Sequence, residues 1–186
     1  MVTTEHTPNP DTLKFLPGKK VSEIGPVEYL KNNKNIDISL ANKILSLKGT
    51  LMVFFGEDFI TVKKEKNLNW NDLKHGIISE INDYYSQGHK VVIKKKTNKP
   101  NLDNQAGSDH SDETVKKIIE ILDTKIRPAV ARDGGDITFK SFKDGVVTVE
   151  LKGSCSGCPS SVMTLKQGVQ NLLCHYIEEV KNVEAI

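Results

Sequence analysis

The sequence predicts an α+β protein that consists of two small α+β domains joined by a flexible linker. The main observation is a change of composition between Lys94 and Asp112, where the chain has almost no apolar residues but carries proline, glycine, serine, asparagine and charge. Such a composition is typical of exposed linkers. On both sides of it, apolar residues recur with helical spacing in some segments and with strand spacing in others. We therefore predict a first domain at residues 1–94, a linker at residues 95–112 and a second domain at residues 113–186.

The first domain contains, in chain order, a turn-rich opening, a short apolar segment, a helix, a strand pair, a longer helix and a final strand. We expect these at residues 7–11, 13–16, 38–47, 51–55 with 59–64, 70–84 and 91–93. Asp37 can cap the first helix and Gly49 can end it. The longer helix has apolar residues at a period of 3.6, and Gly88 follows as a stop.

The second domain contains a helix, two strands, a cysteine loop, another helix and a last strand. We expect these at residues 114–126, 137–139, 147–151, 155–158, 159–176 and 180–186. Asp144-Gly145 between the two strands is a strong hairpin signal, because both residues accept a positive φ. Pro128 interrupts the chain after the first helix, whereas Pro159 suits the first turn of the second. This mixture of elements predicts a small α+β domain.

The composition argues against two kinds of partner. The chain has 26 basic and 24 acidic residues, and only two of the basic residues, Arg127 and Arg132, are arginines. Phosphate recognition favours the guanidinium group, so we expect no nucleic-acid partner. No apolar run approaches the roughly 20 residues that cross a bilayer, so we expect no membrane partner either.

The cysteine count and the first residues indicate the cellular compartment, and two histidines bear on catalysis in the first domain. Three cysteines do not suit a secreted disulfide framework, and residues 1–5 resemble neither a secretory signal nor a transit peptide. We predict a cytoplasmic bacterial protein, because the chain is rich in lysine and asparagine, with the mitochondrial matrix as the alternative. His75 and His89 have no convergent acid or nucleophile partner that the sequence identifies, so we find no catalytic constellation in the first domain.

The segment Cys155-Ser156-Gly157-Cys158 carries the clearest chemistry in the chain. It lies at the exit of the predicted hairpin and directly before a helix. The partial positive charge of a helix N-terminus favours thiolate, which is the form that binds metal or attacks disulfides, so we expect a lowered thiol pKa. Two residues between the cysteines allow both sulfurs to face one metal site.

Two cysteines supply only two of the four ligands that such a site needs. Cys174 and His175 do not converge easily, because neighbouring helical residues point about 100° apart, and we expect Cys174 on the outer face of its helix. A thioredoxin-like dithiol disagrees with an antiparallel hairpin before the cysteines. A second copy of the chain can supply two more thiolates across a two-fold axis, which suits one [4Fe–4S] cluster or one zinc ion. Two structural cysteines without a ligand are the remaining interpretation.

Motifs in both domains resemble a known family. Residues 133–137, 153–161 and 164–166 (Asp-Gly-Gly-Asp-Ile, Gly-Ser-Cys-Ser-Gly-Cys-Pro-Ser-Ser and Thr-Leu-Lys) resemble the C-terminal domain of NifU, the Nfu-type module. Residues 7–15 and 54–62 resemble the separate N-terminal domain of Nfu proteins from mitochondria and related bacteria. The resemblance covers nearly the whole chain apart from the linker.

The resemblance implies that two protomers hold a [4Fe–4S] cluster through paired CxxC motifs, with Cys155 and Cys158 as the ligands of each chain. It also implies a homodimer formed through the cluster, an upstream iron–sulfur assembly scaffold that supplies it, and apo iron–sulfur enzymes that accept it. A [2Fe–2S] cluster also takes four thiolates and stays open as the resting form. Cys174 lies outside the motif, so no function is carried onto it. We expect the first domain to contact partner proteins, so that its loss slows transfer and leaves cluster binding intact.

Overall fold

The computed structural model of the chain describes residues 1–23, 25–33, 36, 38–89, 109–157 and 159–186. The described residues form two α+β domains, as the sequence predicts. The first contains β1 (Thr3–His6), β2 (Thr12–Leu16), β3 (Val27–Leu30), α1 (Ser39–Ser46), β4 (Thr50–Phe55), β5 (Ile60–Lys64) and α2 (Trp70–Ser86). Its strands form one antiparallel sheet in the order β1-β2-β5-β4-β3.

Helices α1 and α2 cover one face of this sheet. Four residues of α2 spaced three or four apart, Leu73, Ile77, Ile81 and Tyr84, are buried against the sheet residues and α1. That spacing places them on a single face of the helix. Asn69 caps the helix, since its side chain accepts a hydrogen bond from the Asn71 amide at 3.1 Å.

The opposite face of the sheet is also buried. Met52, Phe54 and Phe59 form a small cluster there, and Ala131 of the second domain packs against it. A strand buried on both faces loses the alternation of apolar and polar residues. This explains why β4 is continuously apolar from Met52 to Phe55.

The second domain surrounds a three-stranded sheet. Its elements are α3 (Asp109–Ile121), a π-helical segment (Leu122–Ile126), α4 (Arg127–Arg132), β6 (Gly135–Lys143), β7 (Val146–Gly153), α5 (Pro159–Tyr176) and β8 (Asn182–Ala185). Strand β6 pairs antiparallel with β7, and β7 pairs parallel with β8. The β6–β7 hairpin is confirmed, with φ of +52° at Asp144 and +80° at Gly145. Helix α5 has the predicted bounds.

The π-helical segment lies directly before Pro128. The Arg127 amide donates to the Leu122 carbonyl, five residues earlier, instead of to the residue four earlier. Proline lacks an amide hydrogen and its ring crowds the preceding turn, so a widened turn accommodates it. The single helix expected over residues 114–126 is therefore three helical pieces that run to Arg132.

Several boundaries differ from the sequence predictions. Helix α3 begins at Asp109, inside the segment predicted as linker, and the last strand is shorter than expected. Strands β1 and β3 were not predicted. Asp37, the predicted cap, and the strand predicted at residues 91–93 lie outside the described residues, as does most of the predicted linker.

Candidate functional site

The cysteine loop follows directly from the end of β7. Gly153 has a φ of +71° and pairs with Gly135 of β6, which places the loop against the turn between α4 and β6. The Ser154 amide donates to the Gly134 carbonyl at 3.1 Å, and the Ser154 hydroxyl donates to the Asp133 carbonyl. The Ser156 amide and hydroxyl both donate to the Gly153 carbonyl, at 3.2 and 2.9 Å. Backbone bonds therefore fix the loop up to its first cysteine.

The first cysteine of the motif, Cys155, is buried. Only 6% of its surface is exposed, and it packs into the apolar core of the second domain. Burial raises the pKa of the Cys155 thiol, and the carboxylates of Asp133 and Asp136 raise it further, whereas contact with the Ser154 hydroxyl at 3.7 Å lowers it. The expectation of a lowered thiol pKa is therefore wrong for this cysteine, because loss of hydration outweighs the effect of the helix N-terminus.

The second predicted site residue, Cys158, lies outside the described residues. Its assignment therefore stays a prediction.

Gly135 makes room for the buried sulfur. A Cβ atom built on this glycine would lie 2.8 Å from Cys155 Sγ and 2.6 Å from the Lys152 carbonyl oxygen. Both distances are shorter than any ordinary contact, so a side chain at this position would displace either the sulfur or the strand. The second glycine of Asp-Gly-Gly-Asp therefore has a packing role that the sequence analysis did not identify.

An ion pair between Arg127 of α4 and Asp136 of β6 connects the two elements that flank this turn. The Arg127 guanidinium donates from Nε to Asp136 Oδ1 at 2.9 Å and from Nη2 to Asp136 Oδ2 at 3.2 Å. Its Nη1 donates to Asp123 Oδ1 at 3.0 Å. The hydrogen bond to Asp136 raises the pKa of Arg127. Sequence reasoning missed this pair, although the last residue of Asp-Gly-Gly-Asp and one of only two arginines were available signals.

A cavity of about 520 Å³ opens beside Cys155. The π-helical segment, α4 and α5 contribute most of its lining, and Pro8 of the first domain closes part of it. Apolar side chains from these helices, Ile126, Val130, Leu165 and Val169, dominate the lining. Cys155 therefore lies between the core of the second domain and this cavity.

The third cysteine has a different place from the one expected. Cys174 is partly buried and packs against the core of the second domain, so its prediction on the outer face of α5 is wrong. Its neighbour His175 makes an edge contact with Tyr176, at 5.0 Å between the ring centroids.

Within the described ranges, no group of three or more histidine, cysteine or carboxylate side chains could hold a metal ion. The described part of the chain also contains no helix long and apolar enough to span a bilayer.

The fold and the site define a two-domain α+β protein with a cysteine loop between a strand and a helix of its second domain. Residues 2–88 match the family model described as "Scaffold protein Nfu/NifU N terminal", and residues 118–184 match the one described as "NifU-like domain". The chain therefore belongs to the Nfu family of NifU-like proteins.

Relatives match over nearly the whole chain. The human protein named "NFU1 iron-sulfur cluster scaffold homolog, mitochondrial" is 44% identical over 186 residues, which cover 100% of this chain and 71% of the relative. The Arabidopsis thaliana protein named "NifU-like protein 4, mitochondrial" is 42% identical, over 98% of this chain and 65% of the relative. A solution structure of a NifU-like protein from Saccharomyces cerevisiae covers 51% of this chain and 86% of that chain, at 26% identity and a TM-score of 0.47.

The names of the relatives also concern the compartment. The human and Arabidopsis proteins are both named as mitochondrial, which agrees with the mitochondrial alternative and gives no support to the bacterial cytoplasm.

Proposed function

We propose that this protein carries an iron–sulfur cluster, held by Cys155 and Cys158 together with the same two cysteines of a second copy, and passes it to apo-proteins. The observation that carries the proposal is the cysteine pair at the exit of β7 in a chain of the Nfu family. The human relative is named as an iron–sulfur cluster scaffold, which supports the same class of function.

The ligand count favours a site between two chains. A [4Fe–4S] or a [2Fe–2S] cluster takes four thiolates, and one chain offers only two at this loop. Among the described residues, no group of three or more histidine, cysteine or carboxylate side chains could complete a metal site within the chain. A two-fold axis beside the loop brings two equivalent pairs together without any further ligand. We propose the [4Fe–4S] form, bound by a homodimer.

Transfer then proceeds by ligand exchange. A thiolate of the acceptor attacks one iron, one new iron–sulfur bond forms, and the bond from that iron to a carrier cysteine breaks. The released thiolate takes a proton from solvent, and neither the cluster nor the protein changes oxidation state. The cluster is therefore cargo, supplied by an upstream assembly scaffold and consumed by apo iron–sulfur enzymes. No substrate turns over, which is the basis for proposing a carrier and not an enzyme.

Anaerobic reconstitution tests the proposal. The full-length protein, Cys155→Ser and the control Cys174→Ser are incubated with iron and sulfide, then analysed for metal, sulfide and size. We expect about four irons and four sulfides per dimer for the wild type and for Cys174→Ser, and none for Cys155→Ser. A monomer that oxidises reversibly without taking up iron would indicate a dithiol redox protein instead. Tight binding of zinc in preference to iron would indicate a structural metal site.

A further inference from the structure

Side chains of the first domain bind the backbone just before Cys155 and the backbone of the turn that supports it. Three first-domain side chains donate to backbone carbonyls: Asn9 Nδ2 to Ser154 at 3.1 Å, Thr61 Oγ1 to Gly134 at 2.7 Å and Lys14 Nζ to Arg132 at 3.3 Å. In a fourth hydrogen bond, the Gly153 amide donates to Glu28 Oε2 at 2.7 Å. All four groups of the second domain belong to the cysteine loop or to the turn that supports it. These four bonds of the first domain thus recognise the backbone of the loop and turn and none of its side chains.

The same surface also covers the loop sterically. A Cβ atom built on Gly153 would lie 3.2 Å from the Phe54 ring, and one built on Gly157 would lie 2.8 Å from Lys63 Nζ. Phe54 belongs to the small apolar cluster that also packs against Ala131. Strands β4 and β5 therefore lie across the loop from its first glycine to its last described one.

This coverage conflicts with a site between two chains. A shared cluster requires the loop of a second protomer to approach the loop of the first, with every cysteine sulfur directed between them. In the arrangement described, Phe54 and Lys63 lie against the loop, and Cys155 packs into the core of the second domain beside the cavity. The two contacts exclude each other, because both require the same backbone.

We propose that the outer face of the first-domain sheet is a docking surface for the cysteine loop of its own chain, and that it leaves this loop before a second protomer binds there. This inference rests on the proposed function, since the need for undocking comes from the shared cluster. The surface consists of Asn9, Lys14, Glu28, Phe54, Thr61 and Lys63. It shields the loop while docked and frees it for cluster binding when undocked.

Isosteric removal of one docking bond tests the inference in the full-length chain. Thr61→Val removes the donor to Gly134 and keeps the volume of the buried side chain. Thr3→Val, at an exposed threonine on β1 of the same sheet, is the matched control. Two rates are measured on the reduced protein under anaerobic conditions: hydrogen exchange of the Gly153 amide, and alkylation of Cys155 by iodoacetamide. Alkylation of Cys174 in the same molecules is the internal reference.

We expect Thr61→Val to accelerate both rates about fivefold, which corresponds to the loss of one ordinary hydrogen bond, and Thr3→Val to leave them unchanged. Should Thr61→Val fold poorly, as judged by circular dichroism, Glu28→Ala gives the test through the alkylation rate, because the Gly153 amide loses its own acceptor in that variant. Rates equal to or below those of the wild type in both variants would overturn the inference.

Cluster reconstitution separates the two proposals. If the docking surface limits access, Thr61→Val acquires iron and sulfide faster than the wild type and reaches the same final content. Failure of every variant and of the wild type to bind a cluster contradicts the proposed function but leaves the exchange and alkylation results valid. Normal cluster binding with unchanged exchange of the Gly153 amide contradicts the docking inference alone.

Discussion

Replacement of Gly135 by alanine adds one methyl group at the most crowded point of the site. The new Cβ would lie 2.6 Å from the Lys152 carbonyl oxygen and 2.8 Å from Cys155 Sγ. The carbonyl belongs to β7, which pairs directly with β6, so the strand cannot move away without breaking the ladder. The sulfur is held by the core and cannot rotate freely. Gly135→Ala therefore forces a shift in one of two well-packed elements.

The expected loss follows from two opposing effects. Overpacking of a buried site costs about 1–3 kcal/mol, and a backbone partner places this site in the upper half of that range. Alanine also lowers the conformational entropy of the unfolded chain, which stabilises the folded state by about 0.5–1 kcal/mol. The net loss is about 2 kcal/mol for the second domain. With a urea dependence of about 1 kcal/mol per molar for so small a domain, the unfolding midpoint falls by about 2 M.

Urea unfolding followed by far-ultraviolet circular dichroism measures this loss. The control is Gly168→Ala in helix α5, where an added Cβ meets no atom within 4 Å, so the same chemical change should raise stability by about 0.5–1 kcal/mol. Trp70, the single tryptophan, reports unfolding of the first domain by fluorescence and should show little change. The packing argument is refuted if Gly135→Ala is as stable as Gly168→Ala.

Three further predictions concern buried polar groups. Asp136→Asn weakens the charged pair with Arg127 and should lower the stability of the second domain by about 1.5–3 kcal/mol in urea unfolding, whereas Asp144→Asn at the exposed hairpin turn should not. Tyr85 has a pKa of about 12, raised by burial, and its hydroxyl has no hydrogen-bond partner among the described residues. Tyr85→Phe should therefore preserve stability or raise it by up to about 1 kcal/mol, and should remove the last tyrosine to ionise in an ultraviolet titration. Burial raises the pKa of Cys155, so the stability from its neutral thiol is present below the unfolded pKa of about 8.5 and is lost as the pH rises. From pH 7.5 to 9.5, the unfolding midpoint of the wild type should fall relative to that of Cys155→Ser. A constant difference between the two midpoints would contradict this reasoning.

Local sequence patterns were sufficient for the long elements of the fold. The 3.6-residue stripe of α2 and the Asp144-Gly145 turn of the β6–β7 hairpin each act within a few residues, and both are confirmed. Strands β1 and β3 have four residues each and are exposed or half-buried, so they show no alternation to detect. Tertiary pairing alone decides such edge strands. The start of α3 was missed because Asp109 and its neighbours are polar, as linker residues are.

Some features of the site depend on neighbouring residues and were predictable, whereas others depend on residues distant in sequence. The place of Cys155 between a hairpin and a helix was predictable because it depends on neighbouring residues. Its burial was not, since Gly135 and the core of the second domain enclose it from positions distant in sequence. The bond of Asn9 to the cysteine loop and the bond of Thr61 to its supporting turn join residues 145 and 73 positions apart. A hydrogen bond to a backbone carbonyl requires only a donor, so no sequence motif marks it.

A carrier must keep its thiols inert until cargo arrives and then present them as thiolates. In the arrangement described, burial keeps the Cys155 thiol protonated, and the first-domain sheet covers the loop that holds it. Separation of the domains ends only the second restraint: the loop loses its bond to Asn9, the supporting turn loses its bond to Thr61, and Gly153 and Gly157, both at positive φ, leave the backbone of the loop room to rearrange. The sulfur itself stays enclosed by Gly135 and the core of the second domain, so the loop must also rearrange before Cys155 can act as the ligand that the proposed function requires.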